Sequence, residues 1–240
     1  MVIVEFKEEH IRDAAWLHVR GISAGFISLL GVDFVSSLYR TITRSDSSFG
    51  FVAQDDGRVL GFVVLTTDIG RLYRTVILGC GLKTGALLAG RVCSVSRLKK
   101  VFETLMYQAR TSDMDLPSAE LLSIVVAEDR RHEGIGEALV HRGLVECYYR
   151  GIDWVKVLVC FANVPANYLY LKSGFELAGR VDSHGVPSNI YVAQTSLVVK
   201  EQVPDGLVAA SESRAVCVEI FDVPRRTAQA DVPSRGRKYG

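Results

Sequence analysis

Leu121-Leu122-Ser123-Ile124-Val125-Val126, then Ala127-Glu128-Asp129-Arg130, then Arg131-His132-Glu133-Gly134-Ile135-Gly136 is the stretch whose reading decides the fold. The first six residues have the composition of a strand, the next four break it, and Gly134 and Gly136 open a helical pattern that runs to Arg150. A strand, a glycine-bearing turn and a helix start aim several backbone N–H groups at one point, where the unpaired donors and the helix dipole favour an anion. Glycine matters there because a Cβ would hold a phosphate away from the backbone or resist the φ required. Two other phosphate motifs are excluded. The dinucleotide fingerprint needs a third glycine and an acidic residue closing the next strand, whereas Ala138 to Val140 continue the helix and Val159 to Phe161 carry no acid. A P-loop needs Gly-Lys-Ser or Gly-Lys-Thr, and neither follows.

Outward from this stretch the chain alternates. Downstream come a strand at Trp154 to Phe161, a helix at Pro165 to Lys172, and a closing pair of strands at Phe175 to Val181 and Ile190 to Val199. Upstream, Glu120 to Ala127 is the strand itself. Val2 to Phe6 reads as a strand, and Glu8 to Arg20 as a helix with Ile11, Ala14, Ala15 and His18 on one face. A second helical pattern passes through Phe34, Leu38 and Ile42. Phe49 to Gln54 and Val59 to Thr66 flank Asp55-Asp56-Gly57-Arg58, a hairpin signal because Asp-Gly accepts the positive φ of a short turn. Ile69 to Phe102 differs in character: seven basic residues, no acidic ones, and frequent Leu, Val, Ala and Gly indicate an inserted pair of basic amphipathic helices. After Lys200 the periodicity fades into a Pro-, Ser- and Arg-bearing tail.

The second informative segment is Asn163-Val164-Pro165-Ala166-Asn167-Tyr168-Leu169-Tyr170-Leu171-Lys172-Ser173-Gly174-Phe175. R-x-x-G-x-G followed at this separation by N-x-x-A-x-x-x-Y-x-x-x-G-F closely resembles the GNAT superfamily of N-acetyltransferases. The resemblance covers Glu120 to Val199 and, more loosely, the elements before Asp68. It implies an α/β (α+β) fold: a mixed, mostly antiparallel sheet splayed at its fourth strand, flanked by helices, with a helical insertion. Residues 1–200 would form that domain, 69–116 the insertion and 201–240 a flexible tail.

The resemblance also implies acetyl-CoA as acyl donor, received in the gap of the splayed sheet. Main chain from Ile124, Val125 and Val126 would hold the pantetheine arm. Arg131, His132, Glu133, Gly134, Ile135, Gly136 and Glu137 would hold the pyrophosphate, with Asn163 and Ala166 beside the arm. Tyr170 would be the general acid for the leaving thiolate. Glu120, eleven positions before Arg131, resembles the strand-four glutamate that serves some members as general base; its alternative reading is a solvated strand-end carboxylate. Ser23, Phe26 and Phe34 would line the acceptor cleft. The acceptor would be a primary amine, on a small molecule, a sugar or a protein, attacking the thioester directly in a ternary complex.

Composition narrows the classes. In 240 residues, 28 Lys and Arg face 27 Asp and Glu, so net charge provides no general pull toward nucleic acid. The five cysteines show no metal-ligand spacing and no disulfide framework, so no metal is expected. Met1 to Phe6 runs straight into Lys7, Glu8 and Glu9, unlike a signal peptide, and a cytoplasmic enzyme is expected. The basic insertion at 69–102 suits a lid, a homodimer face or a peripheral membrane contact. A non-catalytic acetyl-CoA sensor is the alternative function; Tyr170, which a pure binder would not need, favours the enzyme.

Overall fold

Asp55-Asp56-Gly57-Arg58 closes a two-residue hairpin: Asp56 and Gly57 both have positive φ, 45° and 77°. Strands with a right-handed twist join best through turns of this kind. The computed structural model containing this hairpin describes residues 1–22, 27–72, 116–183 and 186–200. Nearly all of the basic insertion, the tail from 201, Ser23, Phe26 and His184 lie outside the described residues.

The elements follow in the order β1 (Val2–Glu5), α1 (Ile11–Gly21), α2 (Val32–Thr43), β2 (Ser48–Asp55), β3 (Arg58–Thr66), β4 (Ala119–Val126), α3 (Ile135–Tyr149), β5 (Trp154–Cys160), α4 (Val164–Lys172), β6 (Glu176–Ser183), β7 (Val186–Gln194) and α5 (Thr195–Lys200). Short 3-10 turns at Glu8–His10, Ser28–Leu30 and Glu128–Arg130 join them. The strands form one sheet in the order β1-β2-β3-β4-β5-β7-β6. Every neighbouring pair is antiparallel except β4 with β5.

Helices cover both faces. Ile11, Ala14, Ala15, Val35 and Tyr39 of α1 and α2 pack against Val52, Phe62, Val64 and Val125. On the other face Leu139, Val140, Leu144 and Tyr170 of α3 and α4 pack against Leu60, Val63, Leu65, Val155 and Val157. Burial on both faces explains why Val59 to Leu65 reads as an unbroken apolar run rather than an alternation. The helical stripe of Ile11, Ala14, Ala15 and His18 is buried as its spacing requires.

Two irregularities shape β4. Opposite it on β3, Val64 faces Ser123 but Leu65 faces Leu121, so Leu122 is the extra residue of a bulge. On its other side β4 pairs with β5 only through Ala119↔Val155, Glu120↔Lys156 and Leu121↔Val157. Beyond that point β5 continues to Cys160 paired with β7 alone, and β4 continues to Val126 paired with β3 alone. The sheet is thus split from Leu122 onward.

The structure corrects two local expectations. Ile190 to Val199 is not one strand: β7 stops at Gln194, where the buried Thr195 hydroxyl donates to the Ile152 carbonyl (2.7 Å) and its N–H to that of Asp153 (3.0 Å). Those bonds turn the chain into α5, where Val198 packs on the core. The last hairpin is tighter than expected, since β6 runs to Ser183 and β7 starts at Val186.

Gly61 sits where β3 passes closest to β4: a Cβ there would lie 2.8 Å from the Val125 carbonyl oxygen. Because that neighbour is backbone, it cannot rotate away. Gly61→Ala is expected to lower unfolding free energy by about 1–3 kcal/mol, as overpacking in a dense core does, read from urea melts against the parent.

Candidate active site

The turn after β4 carries the first part of the site. His132 and Gly134 have positive φ, 67° and 80°, so the chain reverses tightly before α3. Position 134 needs glycine for its backbone, whereas at position 136 a Cβ would make only ordinary contacts, 3.4 Å from Leu169 of α4 and 3.8 Å from Val126 of β4. The first helical bond of α3 is Ala138 N–H to the Gly134 carbonyl (3.0 Å), and no backbone bond among the described residues uses the N–H groups of residues 132 to 137. A run of unpaired donors at the start of a fifteen-residue helix is an anion cradle. Around it, Arg58 binds Asp129 (2.7 Å), Arg130 binds Glu133 (3.0 Å) and Arg131 donates to the Val126 carbonyl (3.4 Å). Lys172 of α4 pairs with Glu137 of α3.

The split in the sheet opens beside this cradle. Ile124 and Val126 line one side, Val159 the other, with Ala166 and Leu169 of α4 packed against the same core. The α4 start is fixed by two asparagines. Asn163 caps the helix, its Oδ1 accepting from Ala166 N–H at 3.2 Å. Asn167 donates to the Cys160 and Asn163 carbonyls (3.0 and 2.7 Å) and accepts from Asn189 and the Tyr191 hydroxyl, both at 2.8 Å. That network clamps α4 to the ends of β5 and β7. Sequence reading missed Asn167 and Asn189; the only signal was two asparagines in otherwise apolar elements.

Tyr170 is 4% exposed, its ring packed on Phe175 and Tyr191 at centroid distances of 5.5 and 6.4 Å. Burial raises its hydroxyl pKa, so the group stays protonated at neutral pH. Its hydroxyl makes none of the hydrogen bonds found among the described residues.

Glu120 lies on the opposite face. Its neighbours Ala119 and Leu121 point into the α3–α4 core, so by strand alternation its side chain points toward α1 and α2. A solvated strand-end carboxylate is not what the structure contains: Glu120 is 8% exposed, and Oε2 is buried without a hydrogen-bond partner. Burial pushes its carboxyl up to about 7, while the Lys156 ammonium, with Nζ 3.8 Å from Oε2, pulls the other way. Lys156 was also missed, although one lysine among Val155, Val157 and Leu158 is a visible anomaly.

Phe34 of α2 is half-buried. His18 does not offer a free imidazole. It is 4% exposed and its Nδ1 shares a 2.6 Å hydrogen bond with the Tyr39 hydroxyl. Of the thiols, Cys147 is buried in the core, which pushes it up to about 12, and Cys160 is half-buried at the end of β5. No group of metal-ligating side chains occurs among the described residues. No helix among them is long and apolar enough to cross a membrane.

A sheet split beside a parallel pair, with a glycine-bearing cradle at the mouth of the split, matches a known class. A family model described as "Acetyltransferase (GNAT) family" matches residues 26–175, and the chain belongs to that family. The protein is therefore an acyltransferase by family. Solved structures share the fold at low identity. The ribosomal-protein-S18-alanine N-acetyltransferase from Escherichia coli superposes with TM-score 0.52 at 14% identity, over 86% of this chain and 98% of that one. A mutant of the spermidine N-acetyltransferase from Vibrio cholerae gives 0.52 at 15%, over 85% and 100%. An N-acetyltransferase from Staphylococcus aureus Mu50 gives 0.52 at 18%, over 80% and 97%. A search of curated protein sequences finds no significant match.

Burial holds the His18 imidazole down to about 4, against about 6.5 in an unfolded chain. The folded state thus binds fewer protons, so stability is full above pH 6.5 and falls as pH drops from there toward 4. By pH 5 the expected loss from this one group is about 2 kcal/mol. The change in unfolding free energy from pH 7 to pH 5, read from urea melts, should be about 2 kcal/mol more unfavourable in the parent than in His18→Gln.

Proposed function

We propose that the protein transfers an acetyl group from acetyl-CoA to a primary amine by direct attack in a ternary complex. The observation that carries this reading is the split between β4 and β5 with six unpaired N–H groups at its mouth. Acetyl-CoA suits both features. An extended arm carrying amides can add to the free edge of β4 at Ile124, Val125 and Val126 as a further strand would. A pyrophosphate fits the donors from His132 to Glu137, with Arg131 alongside and the glycine at 134 keeping the approach open. Asn163 and Ala166 border the arm. Bound there, acetyl-CoA supplies an activated thioester.

The chain's own groups manage the protons. An amine is mostly ammonium at neutral pH, so a base must take a proton before the nitrogen can attack. Glu120 suits that task, because a carboxyl near 7 is half ionised at the working pH and basic enough to accept the proton. Tyr170, on the other side of the gap, holds a hydroxyl proton for the leaving thiolate. A thiolate is a far better leaving group than an alkoxide, so less is asked of this acid. The acceptor comes from the α1–α2 side, with Phe34 in its lining. The sensor alternative is disfavoured by Glu120, whose Oε2 is buried without a hydrogen-bond partner, and by Tyr170, which a pure binder would not need.

Thiol release from acetyl-CoA should be followed with spermidine, glucosamine and an alanine-terminated peptide as acceptors. At least one should react. For that acceptor Glu120→Gln is expected to lower kcat/KM by about 10²-fold or more, the usual worth of a general base, and to abolish an acid limb near pH 7. Tyr170→Phe should lower kcat by less. Turnover by Glu120→Gln equal to the parent's would remove Glu120 from the mechanism.

A further inference from the structure

Lys156 is the one charged residue of β5, and it is only 6% exposed. Withdrawing an ammonium from water costs several kcal/mol, more than its stem regains by packing. Its position is specific. It stands directly opposite Glu120 in the three-residue parallel ladder that ends where the sheet splits. Its neighbours Val155 and Val157 point into the α3–α4 core, so its side chain joins Glu120 on the face toward α1 and α2.

The geometry of the pair is unequal. Nζ donates to the Pro117 carbonyl at 2.6 Å, a full hydrogen bond, while Glu120 Oε2 stands 3.8 Å away, too far for one. Two features follow. The ammonium is held by a backbone carbonyl just before β4, at ion-pair distance from the carboxylate. The carboxylate feels the charge yet keeps Oε2 without a partner. An ordinary buried salt bridge would close that distance and consume the lone pair. The other groups on this face do not replace Lys156. Thr66, opposite Glu120 on β3, donates its hydroxyl to the Ser47 carbonyl, and Asp68 carries a negative charge whose effect falls on Lys156. His18 and Tyr39 are bonded to each other, and burial keeps both neutral.

We infer that Lys156 is a positioning residue for the acyl transfer: anchored on the Pro117 carbonyl, its charge holds the Glu120 carboxylate ionised while leaving Oε2 free to accept the proton of the incoming amine. The inference rests on Glu120 being the base. Without Lys156 the buried carboxyl would stay protonated through neutral pH and the enzyme would work only in alkali.

The titration of Glu120 can be read without a substrate, by NMR of the full chain labelled with ¹³C at the glutamate carboxyl, with the Glu120 signal assigned by its loss in Glu120→Gln. The parent is expected to titrate near pH 7. In Lys156→Gln, which keeps a donor for the Pro117 carbonyl but no charge, the midpoint should rise by about one pH unit or more. In Lys156→Arg it should stay near the parent's. The acid limb of kcat/KM for the reacting amine should move with the midpoint, whereas a merely structural role would lower activity equally at every pH. If Lys156→Gln and Lys156→Arg both titrate as the parent does, the inference is overturned. If the midpoint moves but Glu120→Gln turns over like the parent, the coupling stands and the assignment of the base fails.

Discussion

Everything at the site depends on where β4 stops pairing with β5. After Leu121↔Val157 the two strands part, and the polar edge of β4 from Leu122 to Val126 has no strand to satisfy it. In most sheets such an edge is a liability, to be covered or charged. Here it lies inside the molecule, walled by Ile124, Val126, Ala166 and Leu169, and its direction leads from the turn at Gly134 to the level of Glu120. The bulge at Leu122 falls at the point of parting, where a kink in β4 opens the gap. The same geometry assigns the two faces of the sheet: Tyr170 belongs to the α3–α4 face, Glu120 and Lys156 to the α1–α2 face.

Keeping that gap in shape takes polar anchors that carry no chemistry. Asn167 ties α4 to β5 and β7 through four hydrogen bonds of 3.0 Å or less. Tyr39 ties α2 to α1 through the His18 imidazole. Each is satisfied internally, as buried polar groups must be. Glu120 breaks that rule. Its unpaired Oε2 costs stability, as do the unpaired Ser28, Ser48 and Ser173 hydroxyls and Asn189 Oδ1.

Much of this was legible in the chain. The Asp56-Gly57 hairpin, the stripe of Ile11, Ala14, Ala15 and His18, and the strand-turn-helix around Gly134 follow from local rules: turn chemistry, helical spacing and the glycine requirement at a helix start. The end of β7 was not legible, because Val192 to Val199 has one composition throughout and only the distant Ile152 and Asp153 carbonyls, bonded by Thr195, stop the strand. The burial of Glu120 was hidden for a similar reason. A carboxylate at a strand start looks solvated until its partner across the parallel ladder is known, and parallel pairs join residues far apart in sequence. His18 shows the converse: spacing put it on the buried face, but only Tyr39, 21 positions on, explains how the imidazole is satisfied.

The claim on which the rest stands is that the cradle and the split together hold acetyl-CoA. Calorimetric titration of the purified chain with acetyl-CoA, repeated on Gly134→Trp, tests it most directly. At position 134 φ is +80°, so the indole both strains the turn and fills the approach to the free N–H groups. The account predicts binding in the micromolar range for the parent and a loss of at least about tenfold in a variant whose circular dichroism and melting show it folded. Absence of binding by the parent, or equal binding by the folded variant, would contradict it.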